Sequence, residues 1–139
     1  MVSAQDKKEI VHAICEAEKG STGEIRVHLV PRSRKDALRE AEKVFERLRM
    51  HRTRHRNGVL IFVALESRCF AIVGDEAMHS KVGERFWNET RDRMAPYFLK
   101  GEITQGIVEG VRSAGEKLKR HFPSDGRDAN ELPDTVTGG

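Results

Sequence analysis

Glu24, Asn57, Asp75 and Glu76 are the residues of this chain with the clearest chemical potential. Three carboxylates and an amide are hard oxygen donors, a set that suits Ca²⁺ or Mg²⁺ rather than zinc. Ser80 lies just beyond them, where the start of a helix would present N–H groups to an anion such as phosphate. A cation beside such a helix start is a workable arrangement for phosphoryl chemistry. Each residue also has an ordinary use. Asp75 could cap a turn or helix, Glu24 could be a strand-end charge and His79 a loop residue. A second cluster is basic: Arg47, Arg49, Arg52, Arg54 and Arg56, with His51 and His55 interleaved. Arg52, Arg54 and Arg56 could take an anion or an acidic partner. They could equally form a solvated helix end, where cations suit the dipole.

The first cluster depends on elements that bring it together. Asn57–Leu65 and Cys69–Asp75 are apolar runs joined by Glu66-Ser67-Arg68, the pattern of a β-hairpin. With Glu66 and Ser67 at the turn, Gly58 faces Asp75 across the ladder. Glu24–Pro31 alternates Ile25, Val27 and Leu29 with Glu24, Arg26 and His28, a half-buried strand. Helical periodicity covers residues 5–19, 36–50, 80–98 and 103–120. Pro96 falls late in the third helix and Pro123 just beyond the fourth. Gly106 and Gly110 sit one turn apart, which points to close packing of that helix face.

A strand–helix–strand crossover is normally right-handed and gives parallel strands. The starts of the first two strands then share one sheet edge, and the antiparallel third strand ends there. Glu24, Asn57 and Asp75 converge at that edge. The two hairpin strands are apolar on both faces, so helices should cover both sides. The expected fold is a three-layer α/β/α sandwich, Rossmann-like, with a small mixed sheet containing a hairpin.

The length suits one domain, here residues 1–123, followed by a flexible tail over 124–139. The formal net charge is +3, yet the tail carries Asp125, Asp128, Glu131 and Asp134 against Arg127 alone, so the body is more basic still. No apolar run is long enough to span a bilayer, and the first residues lack a signal-type apolar segment. These features predict a cytoplasmic chain without membrane insertion. Cys15 and Cys69 lack metal-site spacing and read as reduced thiols. Nucleic acid is not favoured, because no recognised binding motif is present and the aromatics follow the core pattern. Walker, GxGxxG, GxSxG and HExxH motifs do not occur.

The segments Thr22-Gly23-Glu24-Ile25-Arg26-Val27, Arg56-Asn57-Gly58-Val59-Leu60-Ile61, Gly74-Asp75, Phe86-Trp87, Lys100-Gly101 and Gly106-Ile107 resemble the TPM domain family. The likeness runs from about Ser3 to Pro123, and the tail around Asn130–Asp134 resembles a compact bacterial branch. The resemblance implies an α/β/α sandwich. It also implies divalent-cation binding, acid phosphatase activity in some members and an assembly or interaction role in others. Where many relatives carry a Gly-Tyr-Gly-like turn, this chain has Gly74-Asp75-Glu76, which adds carboxylates. The leading expectation is a cation-binding interaction module acting through an unidentified protein partner. Alternatives are a metal-assisted phosphomonoesterase, with Asp75 on the ion and Ser80 on phosphate, and an electrostatic adaptor working through the arginine connector.

Overall fold

Strand alternation decides which side of the sheet each apolar residue serves. Odd-numbered positions of the first two strands, Ile25, Val27, Leu29, Val59, Ile61 and Val63, join one core cluster. Leu60, Phe62 and Ala64 join a second cluster on the opposite face. The computed structural model describes residues 2–33, 36–124 and 136–138. Its elements are α1 (Ala4–Glu18), β1 (Glu24–Val30), α2 (Ala37–Arg47), β2 (Gly58–Ala64), β3 (Cys69–Gly74), α3 (Glu76–Leu99), α4 (Ile103–His121) and β4 (Val136–Gly138). The sheet runs β3-β2-β1-β4. β1 is parallel to β2 and to β4, and β2 is antiparallel to β3. Helices α1, α3 and α4 cover one face through Ile10, Ile14, Phe86, Met94, Ile107 and Leu118. Helix α2 covers β2 and β3 on the other face through Ala41, Val44 and Phe45. This is the expected α/β/α sandwich with a mixed sheet.

The hairpin has the predicted register. Ala64 pairs with Cys69 and Val59 with Gly74, and the Asp75 amide donates to the Gly58 carbonyl at 2.8 Å. The glycines of α4 serve close packing, as their spacing suggested. A Cβ at Gly106 would run into the Phe98 ring and one at Gly110 would stand 2.5 Å from the Met94 sulfur; one at Gly115, outside that spacing, would lie as close, 2.9 Å from the Ala17 backbone.

Four features differ from the sequence reading. Helix α2 ends at Arg47 rather than Met50. Arg49 turns left-handed (φ 58°), and a 3₁₀ turn over Met50–Arg52 follows. The driving force is burial of Met50, which is 0% exposed and lies against Gly58. Helix α3 starts four residues early, at Glu76, because Asp75 caps it. It is interrupted at Gly83, whose φ of 67° and ψ of −176° are not helical. Strand β1 is not half-buried: His28, assigned by alternation to the outer face, is 2% exposed, packed against the Phe62 ring of β2 and Thr137 of β4. Finally, Val136–Gly138 forms a strand beside β1. The expected flexible acidic tail falls mostly on residues 125–135, outside the described residues.

Candidate functional site at the hairpin edge

Pairing of Glu24 with Gly58, and of Gly58 with Asp75, places all three at one end of the sheet on the α2 face. Glu24, Asn57 and Asp75 are 3%, 0% and 5% exposed, far more buried than carboxylates and amides usually are. The convergence is real, but it resolves into two groups. Glu24 and Asp75 stand two strands apart, about 10 Å between backbones. Met50 occupies the space above the intervening glycine; its carbonyl oxygen lies 3.3 Å from where a Gly58 Cβ would be.

The first group is Thr22 and Asn57, with Glu24 at the same end of the sheet. Asn57 Nδ2 donates to Thr22 Oγ1 at 2.9 Å. Asn57 Oδ1 is buried and receives no hydrogen bond from any described residue. Such an acceptor is costly unless something satisfies it.

The second group is Arg56, Asp75 and Glu76. Arg56 Nε and Nη2 donate to Asp75 Oδ2 and Oδ1 at 2.8 and 2.9 Å, a bidentate pair. Asp75 Oδ1 also accepts from the Glu76 amide at 2.8 Å, capping α3. The hydrogen bonds and charge of Asp75 hold the Arg56 guanidinium above its ordinary pKa. Arg56 adopts φ 52°, and its carbonyl accepts from the Ala77 amide at 3.0 Å. The first N–H groups of α3 are therefore used internally, so an added phosphate would have to displace the Asp75 carboxylate. The Glu76 side chain is 79% exposed, with Oε2 3.5 Å from Arg56 Nη2.

The remaining predicted residues lie outward. Arg52, Arg54 and Ser80 are exposed. His79, also exposed, accepts from Trp87 Nε1 at 3.2 Å, and the Trp87 ring lies over Gly74. Sequence reasoning missed three buried polar groups: Arg26 Nε, His28 Nε2 and Thr53 Oγ1, none hydrogen-bonded by a described residue. His28 stacks on Phe62, and its Nδ1 lies 2.6 Å from Thr137 Oγ1 on β4. Burial first, then the charges of Arg47 and Arg26, depress its pKa below 6.5. Alternation marked Arg26 and His28 as outward; only the pairing of β4 shows that this face is enclosed.

The fit of these donors to a cation is uneven. Asn57 Oδ1 is a hard donor without a described partner, whereas both Asp75 oxygens are already engaged. Among the described residues, no group of three His, Cys, Asp or Glu side chains is placed as a metal centre.

Comparison with known proteins agrees with this architecture. The chain is similar to the BA42 protein of the psychrophilic bacterium Bizionia argentinensis, solved by NMR: 42% identity, TM-score 0.93, covering 100% of this chain and 96% of that one. It shares its fold with the N-terminal domain of a P. gingivalis protein (17% identity, TM-score 0.73, 88% and 81% of the two chains). The same holds for the N-terminal domain of the cg2496 protein from Corynebacterium glutamicum (12%, TM-score 0.68, 98% and 80%). No curated protein matches. The TPM domain model, which bears the name TPM phosphatase, matches residues 1–117. The chain belongs to the TPM domain family.

Proposed function

We propose that this TPM domain is an interaction module that takes a divalent cation, Ca²⁺ or Mg²⁺, at the Thr22–Glu24–Asn57 end of the sheet and works through a protein partner. The observation that carries the reading is Asn57 Oδ1, a fully buried acceptor without a described donor at the same sheet end as a buried carboxylate. A cation would satisfy that oxygen, with the Glu24 carboxylate at the same end of the sheet. Asp75 supports the site from the second group by fixing Arg56 and the start of α3; joining the shell would require it to leave Arg56.

Calorimetric titration with Ca²⁺ and with Mg²⁺ tests the reading on the natural chain and on Glu24→Gln. Saturable uptake lost in the variant is expected. No uptake at millimolar cation overturns it. The phosphomonoesterase reading has less support, because the α3 amides it needs already bind Asp75 and Arg56. Turnover of an aryl phosphate that disappears in Asp75→Asn would restore it. The electrostatic adaptor reading predicts partner binding that weakens with salt and when Arg52, Arg54 and Arg56 are together replaced by Ala.

A further inference from the structure

The two edges of the sheet differ. One is closed by the chain itself, where Val136–Gly138 adds in parallel to β1. The other is β3, with no neighbour beyond it among the described strands. Its backbone orientation follows from one bond. The Asp75 amide points to β2, donating to Gly58, and the register is regular from Val59–Gly74 to Ala64–Cys69. Amide directions alternate along a strand. Cys69, Ala71 and Val73 therefore bond β2, while Phe70, Ile72 and Gly74 turn their N–H and C=O groups outward.

This row of groups does not face open solvent on a flat edge. It forms the floor of a groove of about 570 Å³ walled by Leu38 and Glu42 of α2 and by Glu84, Trp87 and Arg91 of α3. Leu38 is 49% exposed, one of only two large hydrophobic residues so exposed among those described. Ile72, on the floor, is 9% exposed. Buried backbone donors and acceptors are normally paired, and a long open edge is a template for another strand. The acids Asp36, Glu42 and Glu84 line this groove with Arg91, whose guanidinium is turned to Asn88, and His79, whose Nδ1 accepts from Trp87.

We propose that the β3 edge binds one extended segment of a protein partner by strand addition, the segment alternating apolar residues with lysine or arginine. Phe70, Ile72 and Gly74 supply the backbone ladder, Leu38 and Trp87 supply apolar walls, and Asp36, Glu42 and Glu84 select positive charge. A second copy of this chain would set the same acids, Asp36, Glu42 and Glu84, against these and repel them. The inference deepens the partner half of the proposed function. It is separable from the cation half, since calorimetry with metal and titration with peptide read different ends of the molecule.

The test is an NMR titration of the full chain with a seven-residue peptide alternating valine and lysine. Two controls are the same peptide N-methylated at alternate residues and its valine–glutamate counterpart. Saturable shifts centred on Phe70, Ile72 and Gly74 are expected, with affinity at least tenfold weaker for either control. Charge reversal by Glu42→Lys with Glu84→Lys, both exposed, should invert the preference between the lysine and glutamate peptides. Ile72→Pro removes an outward donor without touching a β2 bond and should weaken binding tenfold. If it fails to fold, the charge-reversal variant carries the test. Absence of saturation, shifts elsewhere, or equal binding of the N-methylated peptide would overturn the proposal. So would β3 shifts that instead follow dimerisation in sedimentation.

Discussion

Replacing Asn57 with Ala separates a buried amide that serves the fold from one that serves a ligand. The natural side chain is 0% exposed, donates one hydrogen bond to Thr22 and holds Oδ1 without a described donor. Losing the hydrogen bond costs about 1 kcal/mol, and the small void costs about 1 kcal/mol more. Removing the buried orphan acceptor returns about 1–3 kcal/mol. The variant should therefore sit within about 1 kcal/mol of the natural protein, unusually mild for truncating a fully buried polar side chain. Cation then separates the two proteins. At a hundredfold excess over Kd, binding adds about 2.7 kcal/mol to the natural chain, a rise in Tm of roughly 8 °C for a domain of this size. The Asn57→Ala variant should show little or none of that rise. Thermal unfolding with and without millimolar Ca²⁺ or Mg²⁺ reads both quantities. A cation-free loss above about 3 kcal/mol would mean that Oδ1 is satisfied in solution and the amide is structural. An equal cation response in both proteins would remove Asn57 from the site.

Other consequences are as specific. Asp75→Asn should keep the α3 cap and Asp75→Ala lose it, so the Ala variant should be less stable than the Asn variant by about 1 kcal/mol; equal denaturation midpoints would refute the capping role. The His28 pKa is depressed in the folded state, so the unfolded chain binds the proton more readily. Stability should thus be unaffected well above pH 6.5 and decline as pH falls below that value toward the folded pKa. A His28→Gln variant should lose that slope in Tm measured down to about pH 5. Gly115→Ala drives a methyl into the Ala17 backbone at 2.9 Å and should cost about 1–3 kcal/mol or more. Gly110→Ala meets the flexible Met94 side chain and gains up to about 1 kcal/mol of helix propensity, so it should be nearly neutral. Chemical denaturation of the two variants reverses this order only if the helix packing is wrong.

Local pattern carried much of the architecture. Alternation in Glu24–Val30 and in the hairpin gave strand faces. The apolar runs around Glu66-Ser67 set a register that placed Gly58 opposite Asp75, because turn length and side-chain period leave little freedom. The sheet edge holding Glu24, Asn57 and Asp75 followed from the parallel pairing that a strand–helix–strand crossover gives and the antiparallel return of the hairpin. These are properties of short segments and of chain chirality, so they are present in the order of residues.

Tertiary structure decided what depends on distant segments. Alternation could not tell that Val136–Gly138 would pair with β1 and enclose His28, because that contact joins residues 109 apart. Nor could it tell that Arg56, read as part of a basic patch, would grip Asp75 across 19 residues and turn a candidate cation ligand into a helix cap. Met50 separates the two carboxylates by lying over Gly58, a result of where α2 stops. The groove along β3 exists because α2 and α3 come from different parts of the chain to flank one edge. Sequence order thus determined the elements and their registers, which short-range sterics and periodicity control. The three-dimensional arrangement decided which polar groups are already satisfied and which remain available, since partners at a site are chosen by space rather than by separation along the chain.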